Sequence, residues 1–117
     1  MKRLIAILVL LTWPTSHPAQ QTVSIGRGFF TGRDYFEMSE NEKRAYATGA
    51  INGMLVAPFF GAPDERLAWL KSCTGKLSDA QVASIISVYI NADPARMDQS
   101  LNVLTYRSIK FACDNLK

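Results

Sequence analysis

Histidine is almost absent from this chain of 117 residues, because the only one, His17, lies close to the N-terminus. A Ser-His-Asp or Cys-His arrangement needs an imidazole as its base, and catalytic zinc sites commonly use imidazole ligands. The chain beyond residue 19 has no imidazole. We therefore exclude most hydrolytic designs for that part and expect a protein with no catalytic residues, no metal and no cofactor.

Long apolar runs are also missing. The run Leu4–Trp13 follows the basic start Met1–Arg3, and Pro14 ends it well short of the roughly 20 apolar residues that cross a bilayer. A basic start, a short apolar stretch and a polar segment form the order of a secretory signal peptide. We predict a signal peptide over residues 1–19, cleaved after Ala19, and a periplasmic or secreted protein without stable membrane insertion.

The excess of basic charge belongs largely to this signal. The whole chain has 13 basic and 10 acidic residues, and cleavage after Ala19 removes Lys2 and Arg3, which leaves 11 basic residues against 10 acidic ones. Nucleic-acid binding depends on a clustered basic surface. A nearly balanced domain lacks that feature, so we expect no nucleic-acid partner.

Cysteine occurs twice, at Cys73 and Cys113, and both residues lie downstream of the export signal. An oxidising compartment favours a disulfide, whereas the spacing is not Cys-x-x-Cys and no histidine lies beyond residue 19 to activate a thiolate. We predict one structural disulfide, Cys73–Cys113. Closing a loop of about 40 residues stabilises a domain by roughly 4 kcal/mol on the chain-entropy model.

Helix signals dominate the rest of the chain, and no segment alternates between apolar and polar residues between hairpin turns. Capping patterns at Thr31–Asp34, Ser39–Glu42 and Ser78–Gln81 each predict the start of a helix. The clearest amphipathic pattern follows the third of these, with apolar side chains at helical spacing: Val82, Ile85, Ile86, Tyr89 and Ile90. We predict an all-α fold, a small bundle of four to five short helices closed by the disulfide.

The domain organisation follows from the same patterns. Residues 20–31 show no sustained period and carry glycines, which predicts a flexible leader that becomes ordered near Phe29 and Phe30. Residues 32–117 then form a single helical domain. Roughly 98 residues remain after cleavage, which is the size of one small domain.

The second predicted helix, from about Glu40 to Val56, contains two glycines. Tyr46, Gly49 and Gly53 recur at three- and four-residue steps, although each glycine costs a helix about 1 kcal/mol. Close packing of another helix of the same chain is the favoured reason for tolerating them. The alternative is an interface with a partner or with a second copy in a homodimer.

The segment Met54–Gly61 carries no charge, and Pro58 ends the second helix within it. Phe59 and Phe60 are read first as core residues. The alternative is an exposed apolar anchor, with Trp69 nearby in sequence, that binds a partner protein.

Acidic residues cluster just before and within the second helix, at Asp34, Glu37, Glu40 and Glu42. A pair of carboxylates is the minimum for glycosidase chemistry. Helix N-termini favour acidic residues regardless of chemistry, and Asp34 and Glu42 already occupy capping positions. Capping is therefore the favoured interpretation.

The order of these features resembles the Rap/Tai-type immunity proteins of type VI secretion, over about residues 32–114. The matching positions are a Tyr-x-x-Gly-x-x-x-Gly helix, a cysteine before a capped helix, and a last helix that closes on a second cysteine: Tyr46, Gly49, Gly53, Cys73, Ser78, Tyr89, Pro94 and Cys113. The resemblance implies a periplasmic inhibitor that binds an incoming peptidoglycan amidase effector.

A second, partial resemblance concerns the start of the domain. Gly32–Phe36 followed by Ser39–Gly53 looks like the opening of the HdeA-type periplasmic acid-stress chaperones. It implies a protein that binds unfolded chains at low pH. An exported helical binding module of another kind is the third alternative.

Overall fold

The computed structural model of the chain describes residues 30–116. The predicted signal peptide, residues 1–19, and residues 20–29 of the predicted leader lie outside the described part. Within it the chain forms five α-helices: α1 (Gly32–Glu37), α2 (Glu40–Leu55), α3 (Ala68–Thr74), α4 (Asp79–Asn91) and α5 (Leu101–Asn115). Three short 3-10 helices connect them: Ala57–Phe60, Asp64–Leu67 and Pro94–Asp98. The predicted all-α fold is confirmed.

Capping boxes begin three of the α-helices, as predicted from the sequence. In each, the hydroxyl of the capping residue accepts the backbone amide three residues later, and that later side chain accepts the amide of the cap. The pairs are Thr31 with Asp34, Ser39 with Glu42, and Ser78 with Gln81. Local hydrogen bonds thus set the starts of α1, α2 and α4.

The core surrounds α4, which packs against both α2 and α5. Ile86 and Ile90 of α4 are fully buried, as are Leu104 and Ile109 of α5. Tyr35 of α1 is also fully buried, and its hydroxyl donates a hydrogen bond of 2.9 Å to the carbonyl oxygen of Ala83. Burial raises the pKa of Tyr35 to about 12, so the ring stays neutral inside the domain.

The last residues of the predicted leader, Phe30 and Thr31, lie against the segment that begins α5. The amide of Leu101 donates to the carbonyl of Phe30 at 2.8 Å, and the amide of Gly32 donates to the carbonyl of Gln99 at 3.1 Å. These bonds place Thr31 opposite Ser100 in an isolated bridge. The pairing provides hydrogen-bond partners for backbone groups at both segments. Sequence periodicity cannot predict such a contact between distant parts of the chain.

Gly32 is the glycine that permits close packing. A Cβ atom at this position would lie 2.6 Å from the carbonyl oxygen of Arg96 and 3.1 Å from Cγ2 of Ile90. The start of α1 therefore rests directly on the turn between α4 and α5. No larger residue fits there without movement of the backbone.

Gly49 and Gly53 do not pack against another helix of the chain, so that prediction is wrong. Both are exposed, and a Cβ atom at either position would meet no atom within 4 Å. The buried residues of α2 are Ala47 and Ile51. Each glycine follows a buried residue by two positions, which places it on about the opposite side of the helix. The interface alternative for this face stays a prediction.

The disulfide Cys73–Cys113 is present, with Cα atoms 5.7 Å apart. It joins α3 to α5 and closes a loop with a sequence separation of 40 residues. This cross-link confirms the predicted pairing.

Removing the disulfide tests its contribution. We expect the double variant Cys73→Ala/Cys113→Ala to lose about 4 kcal/mol of unfolding free energy, because the unfolded chain regains the entropy of an open loop. Urea denaturation of the chain that begins at Gln20 measures the loss. Unchanged stability would contradict it, as would two free thiols found by alkylation and intact mass in protein taken from the periplasm.

The two kinds of glycine give opposite predictions for alanine. Gly32→Ala should destabilise the domain by about 2 kcal/mol or more, since the new methyl group collides with backbone. Gly49→Ala and Gly53→Ala are the matched controls, and each should stabilise α2 by about 1 kcal/mol. Thermal unfolding of the three variants measures the order. Destabilisation by either control substitution would contradict the open space found around Gly49 and Gly53.

Candidate functional site

Among residues 30–116, the most exposed large apolar side chains lie in the turn that follows α2, here called the diphenylalanine turn (residues 57–61). Phe59 is 88% exposed and Phe60 is 87% exposed. Val56, which precedes the turn, is also exposed. Large side chains with so little cover are unusual in a domain that buries apolar residues elsewhere.

The backbone of the turn is fixed by its own residues. Pro58 lies in the first turn of the 3-10 helix, where its ring presets the backbone angle, and Gly61 ends that helix with φ at 94°. The amide of Phe59 donates to the carbonyl of Val56, and the amide of Gly61 donates to the carbonyl of Pro58, both at 3.0 Å. The two phenylalanines are therefore presented on a defined loop.

The interpretation of Phe59 and Phe60 as core residues is wrong. α2 ends at Leu55, close to the expected Val56, and the chain then turns through Pro58. Because the chain changes direction there, Phe59 and Phe60 do not continue the buried face of α2 that contains Ala47 and Ile51. Their exposure matches the alternative interpretation, an apolar anchor, whose partner-binding role is a proposal below.

Trp69 is separate from the diphenylalanine turn in its contacts. Its ring packs edge-on against Tyr106 of α5, with centroids 6.1 Å apart, and Nζ of Lys110 lies 5.0 Å from the centre of the indole. Trp69 is half-buried and packs against the core. The structure thus gives it a place in the packing of α3 on α5.

Tyr46 also makes internal contacts, unlike the glycines with which it was grouped. Its ring packs edge-on against Tyr35 with centroids 5.9 Å apart, and its hydroxyl lies 3.3 Å from that of Thr105. Burial raises the pKa of Tyr46 above its ordinary value. Tyr46 therefore links α2 to α1 and α5.

Two residues of the acidic cluster, Asp34 and Glu42, cap helix starts, as the capping interpretation predicted. The carboxylate of Asp34 accepts from the amide of Thr31 at 2.6 Å, and that of Glu42 accepts from the amide of Ser39 at 2.7 Å. Glu40 lies 3.0 Å from Nζ of Lys43. Across residues 30–116, no three His, Cys, Asp or Glu side chains are grouped to hold a metal ion.

Three carboxylates have a lowered pKa because of hydrogen bonds at helix starts. The backbone amides of Thr31 and Ser39 lower the pKa of Asp34 and Glu42, respectively. The pKa of Asp79 is lowered by a hydrogen bond from Arg44, at 2.9 Å, and by the amide of Ala80. The bond from Arg44 also joins α2 to α4.

A second apolar surface, which the sequence did not reveal, lies between α4 and α5. Val88 is 67% exposed and Phe111 is 63% exposed beside a groove of about 500 Å³. Tyr89 packs against Phe111, and the guanidinium of Arg96 lies 3.9 Å from the centre of the Tyr89 ring. Phe111 follows the buried Ser108 by three positions, a spacing that keeps both residues near the same side of α5. The exposure of Phe111 depends on how α4 and α5 meet, so the sequence carried no signal for it.

Comparisons with protein-family models, with curated proteins and with solved structures found no match for this chain. In the part of the chain that the structure describes, no helix is both long and apolar enough to cross a membrane. The choice of the diphenylalanine turn as the candidate site therefore rests on its geometry alone.

Acid should remove the stability that the three carboxylates supply. Their pKa values are lower in the folded chain, so their contribution is present above the unfolded pKa and disappears as the pH falls through the folded pKa. Glu42→Ala and Asp79→Ala should each lower the unfolding midpoint at pH 7 and have little effect at pH 2. Glu65→Ala, in the 3-10 helix Asp64–Leu67, is the control. An undiminished difference at pH 2 would contradict this account.

Proposed function

We propose that this chain is a periplasmic immunity-type protein that binds a secreted peptidoglycan amidase effector through the diphenylalanine turn and inhibits it without any chemistry of its own. One observation carries the proposal: Phe59 and Phe60 are 88% and 87% exposed on a turn with a defined backbone. The resemblance of residues 32–114 to Rap/Tai-type proteins supplies the class of partner.

The energetics of such a turn favour binding to a protein. Burying a phenylalanine side chain contributes about 1.5 to 3 kcal/mol, and aromatic anchors supply a large share of the energy of many interfaces. A loop that is already held by Pro58 and Gly61 loses little conformational entropy on binding. Two adjacent rings can therefore anchor an apolar cleft in a partner.

The predicted export signal supports the choice of compartment. A signal peptide over residues 1–19 would direct the chain out of the cytoplasm, and a disulfide persists in oxidising compartments. An inhibitor of a cell-wall enzyme acts in the compartment where peptidoglycan is exposed. The proposed location and the proposed partner are thus mutually consistent.

The proposal is tested by measuring the affinity of the chain for a panel of purified secreted peptidoglycan amidases, beginning with any encoded beside this chain's gene. The affinities are measured with and without alanine substitution in the turn. We expect a dissociation constant below about 1 μM at pH 7 for the amidase partner, as is typical of specific complexes. Phe59→Ala or Phe60→Ala should weaken binding about 30-fold, equivalent to roughly 2 kcal/mol. Calorimetry measures the affinity, and thermal unfolding checks that each variant remains folded.

Phe111→Ala is the matched control, because it removes an exposed phenylalanine from the α4–α5 groove instead. It should leave the affinity unchanged. Failure of every amidase to bind would refute the immunity role. Equal affinity of the Phe59→Ala variant and the wild-type chain would refute the role of the turn.

A second candidate, the acid-stress chaperone, is favoured by one observation. Hydrogen bonds at the starts of α1, α2 and α4 lower the pKa of Asp34, Glu42 and Asp79, so we expect protonation to weaken these starts. Acid loosening alone does not distinguish the two functions, because many folded domains respond in this way. Protection of an unrelated denatured protein at pH 2 to 3, with no amidase binding at pH 7, would establish the chaperone instead.

A further inference from the structure

The α4–α5 groove continues along the two helices beyond its own pocket. A second pocket of about 430 Å³ shares Ser84, Ile85 and Ala112 with the groove and reaches Leu116 at the end of α5. The two pockets together are here called the extended groove. It follows the outer side of the α4–α5 pair and does not include the diphenylalanine turn.

The extended groove is mostly apolar. Val88, Phe111 and Leu116 are each more than half exposed along it. The hydroxyl of Ser108, which also lines it, already donates to the carbonyl oxygen of Thr105 in the same helix. A peptide in this place would need partners for its own amides and carbonyls. The surface therefore suits a hydrocarbon chain better than an extended peptide.

Arg96 is the one charged side chain among the described residues that line the extended groove. Its guanidinium packs on the ring of Tyr89, and Nη1 donates to the carbonyl oxygen of Tyr89. Oδ2 of Asp93 lies 3.8 Å from Nε, beyond hydrogen-bond distance, while Oδ1 of Asp93 accepts the amide of Ala95. A guanidinium has five N–H donors, so Arg96 keeps donors for an anionic group.

The length of the extended groove matches one acyl chain. On α4 its lining runs from Gln81 to Ala92, which spans about 16 Å at a helical rise of about 1.5 Å per residue. The hydrocarbon core of a bilayer is about 30 Å thick and holds two acyl chains end to end, so one chain covers about 15 Å.

We infer that the extended groove binds a free fatty acid, with the carboxylate at Arg96 and the acyl chain along α4 toward Leu116. Burial of the methylene groups against Val88 and Phe111 drives binding, because apolar surface leaves water. The charge of Arg96 selects a carboxylate over a cationic head group. This site is separate from the diphenylalanine turn and does not depend on the proposed amidase partner.

Calorimetry with two ligands of equal chain length tests the site and its charge preference. Dodecanoate and dodecyltrimethylammonium are each titrated, below their micelle concentrations and at pH 8, into the chain purified from the periplasm. We expect a dissociation constant below about 100 μM for dodecanoate and at least tenfold weaker binding of the ammonium. Failure of dodecanoate to bind would overturn the inference, and equal affinity would overturn the role of Arg96.

A carboxylate introduced into the groove should repel the ligand. Val88→Asp should weaken dodecanoate binding at least tenfold, since Val88 is exposed in the groove. Val103→Asp is the matched control, because Val103 is exposed on α5 outside the groove, and it should leave the affinity unchanged. Thermal unfolding checks that both variants are folded. Equal effects of the two substitutions would contradict the placement of the acyl chain.

Two substitutions of Arg96 separate its charge from its packing on Tyr89. Arg96→Gln and Arg96→Lys both lose that packing, whereas the lysine keeps the positive charge. Dodecanoate should bind the lysine variant at least fivefold more tightly than the glutamine variant. Equal affinities would remove the carboxylate from Arg96.

Amide NMR of the chain with dodecanoate locates the ligand. The signals of Val88 and Phe111 should shift, while those of Phe59 and Phe60 should not. Shifts centred on Phe59 and Phe60 would overturn the site.

Three further results would assign the groove to another occupant and overturn the inference. The first is sedimentation of the chain with phosphatidylglycerol vesicles, which carry the same combination of acyl chain and anionic group in a membrane. The second is a dimer that Val88→Asp dissociates, which would place a second copy of the chain in the groove. The third is tighter binding of an apolar peptide with a free C-terminal carboxylate than of dodecanoate. We expect none of the three in ultracentrifugation and calorimetry of the purified chain.

Discussion

Burial of α4 between α2 and α5 is the interaction on which the rest of the domain depends. Ile86 and Ile90 are fully buried there and meet the buried face of α5, including Leu104 and Ile109. The same helix accepts the hydroxyl of Tyr35 at the carbonyl of Ala83, which attaches α1. A domain this small has little other apolar surface to bury, so its stability depends on this one layer and on the disulfide.

That arrangement separates the structural part of the chain from the part available for binding. The bundle of α1, α2, α4 and α5 holds most of the buried side chains of residues 30–116, whereas the segment between α2 and α4 contributes Leu70 alone and carries the exposed Phe59 and Phe60. The disulfide connects these parts. The fold therefore presents an apolar turn while its core remains covered, which is what a protein-binding module requires.

Sequence patterns predicted the features that depend on neighbouring residues. The three capping boxes involve residues three positions apart, and the apolar face of α4 repeats through a whole helix. Both signals are local and both were confirmed. The pairing of Cys73 with Cys113 followed from there being only two cysteines.

Features that depend on how helices meet were not predictable in the same way. Gly49 and Gly53 fit a helical spacing that begins at Tyr46, yet the packed face of α2 is set by Ala47 and Ile51, which meet the neighbouring helices. The exposure of Phe59 and Phe60 likewise depends on where the chain goes after Pro58. An uncharged apolar stretch fits both a core and an anchor, so only the tertiary structure separated them.

The central claim is that Phe59 and Phe60 are the side chains that a protein partner covers. Hydroxyl-radical footprinting of the chain, free and in complex with a secreted peptidoglycan amidase, measures the solvent access of each phenylalanine ring. The account predicts strong protection of Phe59 and Phe60 in the complex and unchanged oxidation of Phe111. Protection of Phe111 with continued oxidation of Phe59 and Phe60 would contradict it and would place the interface in the α4–α5 groove.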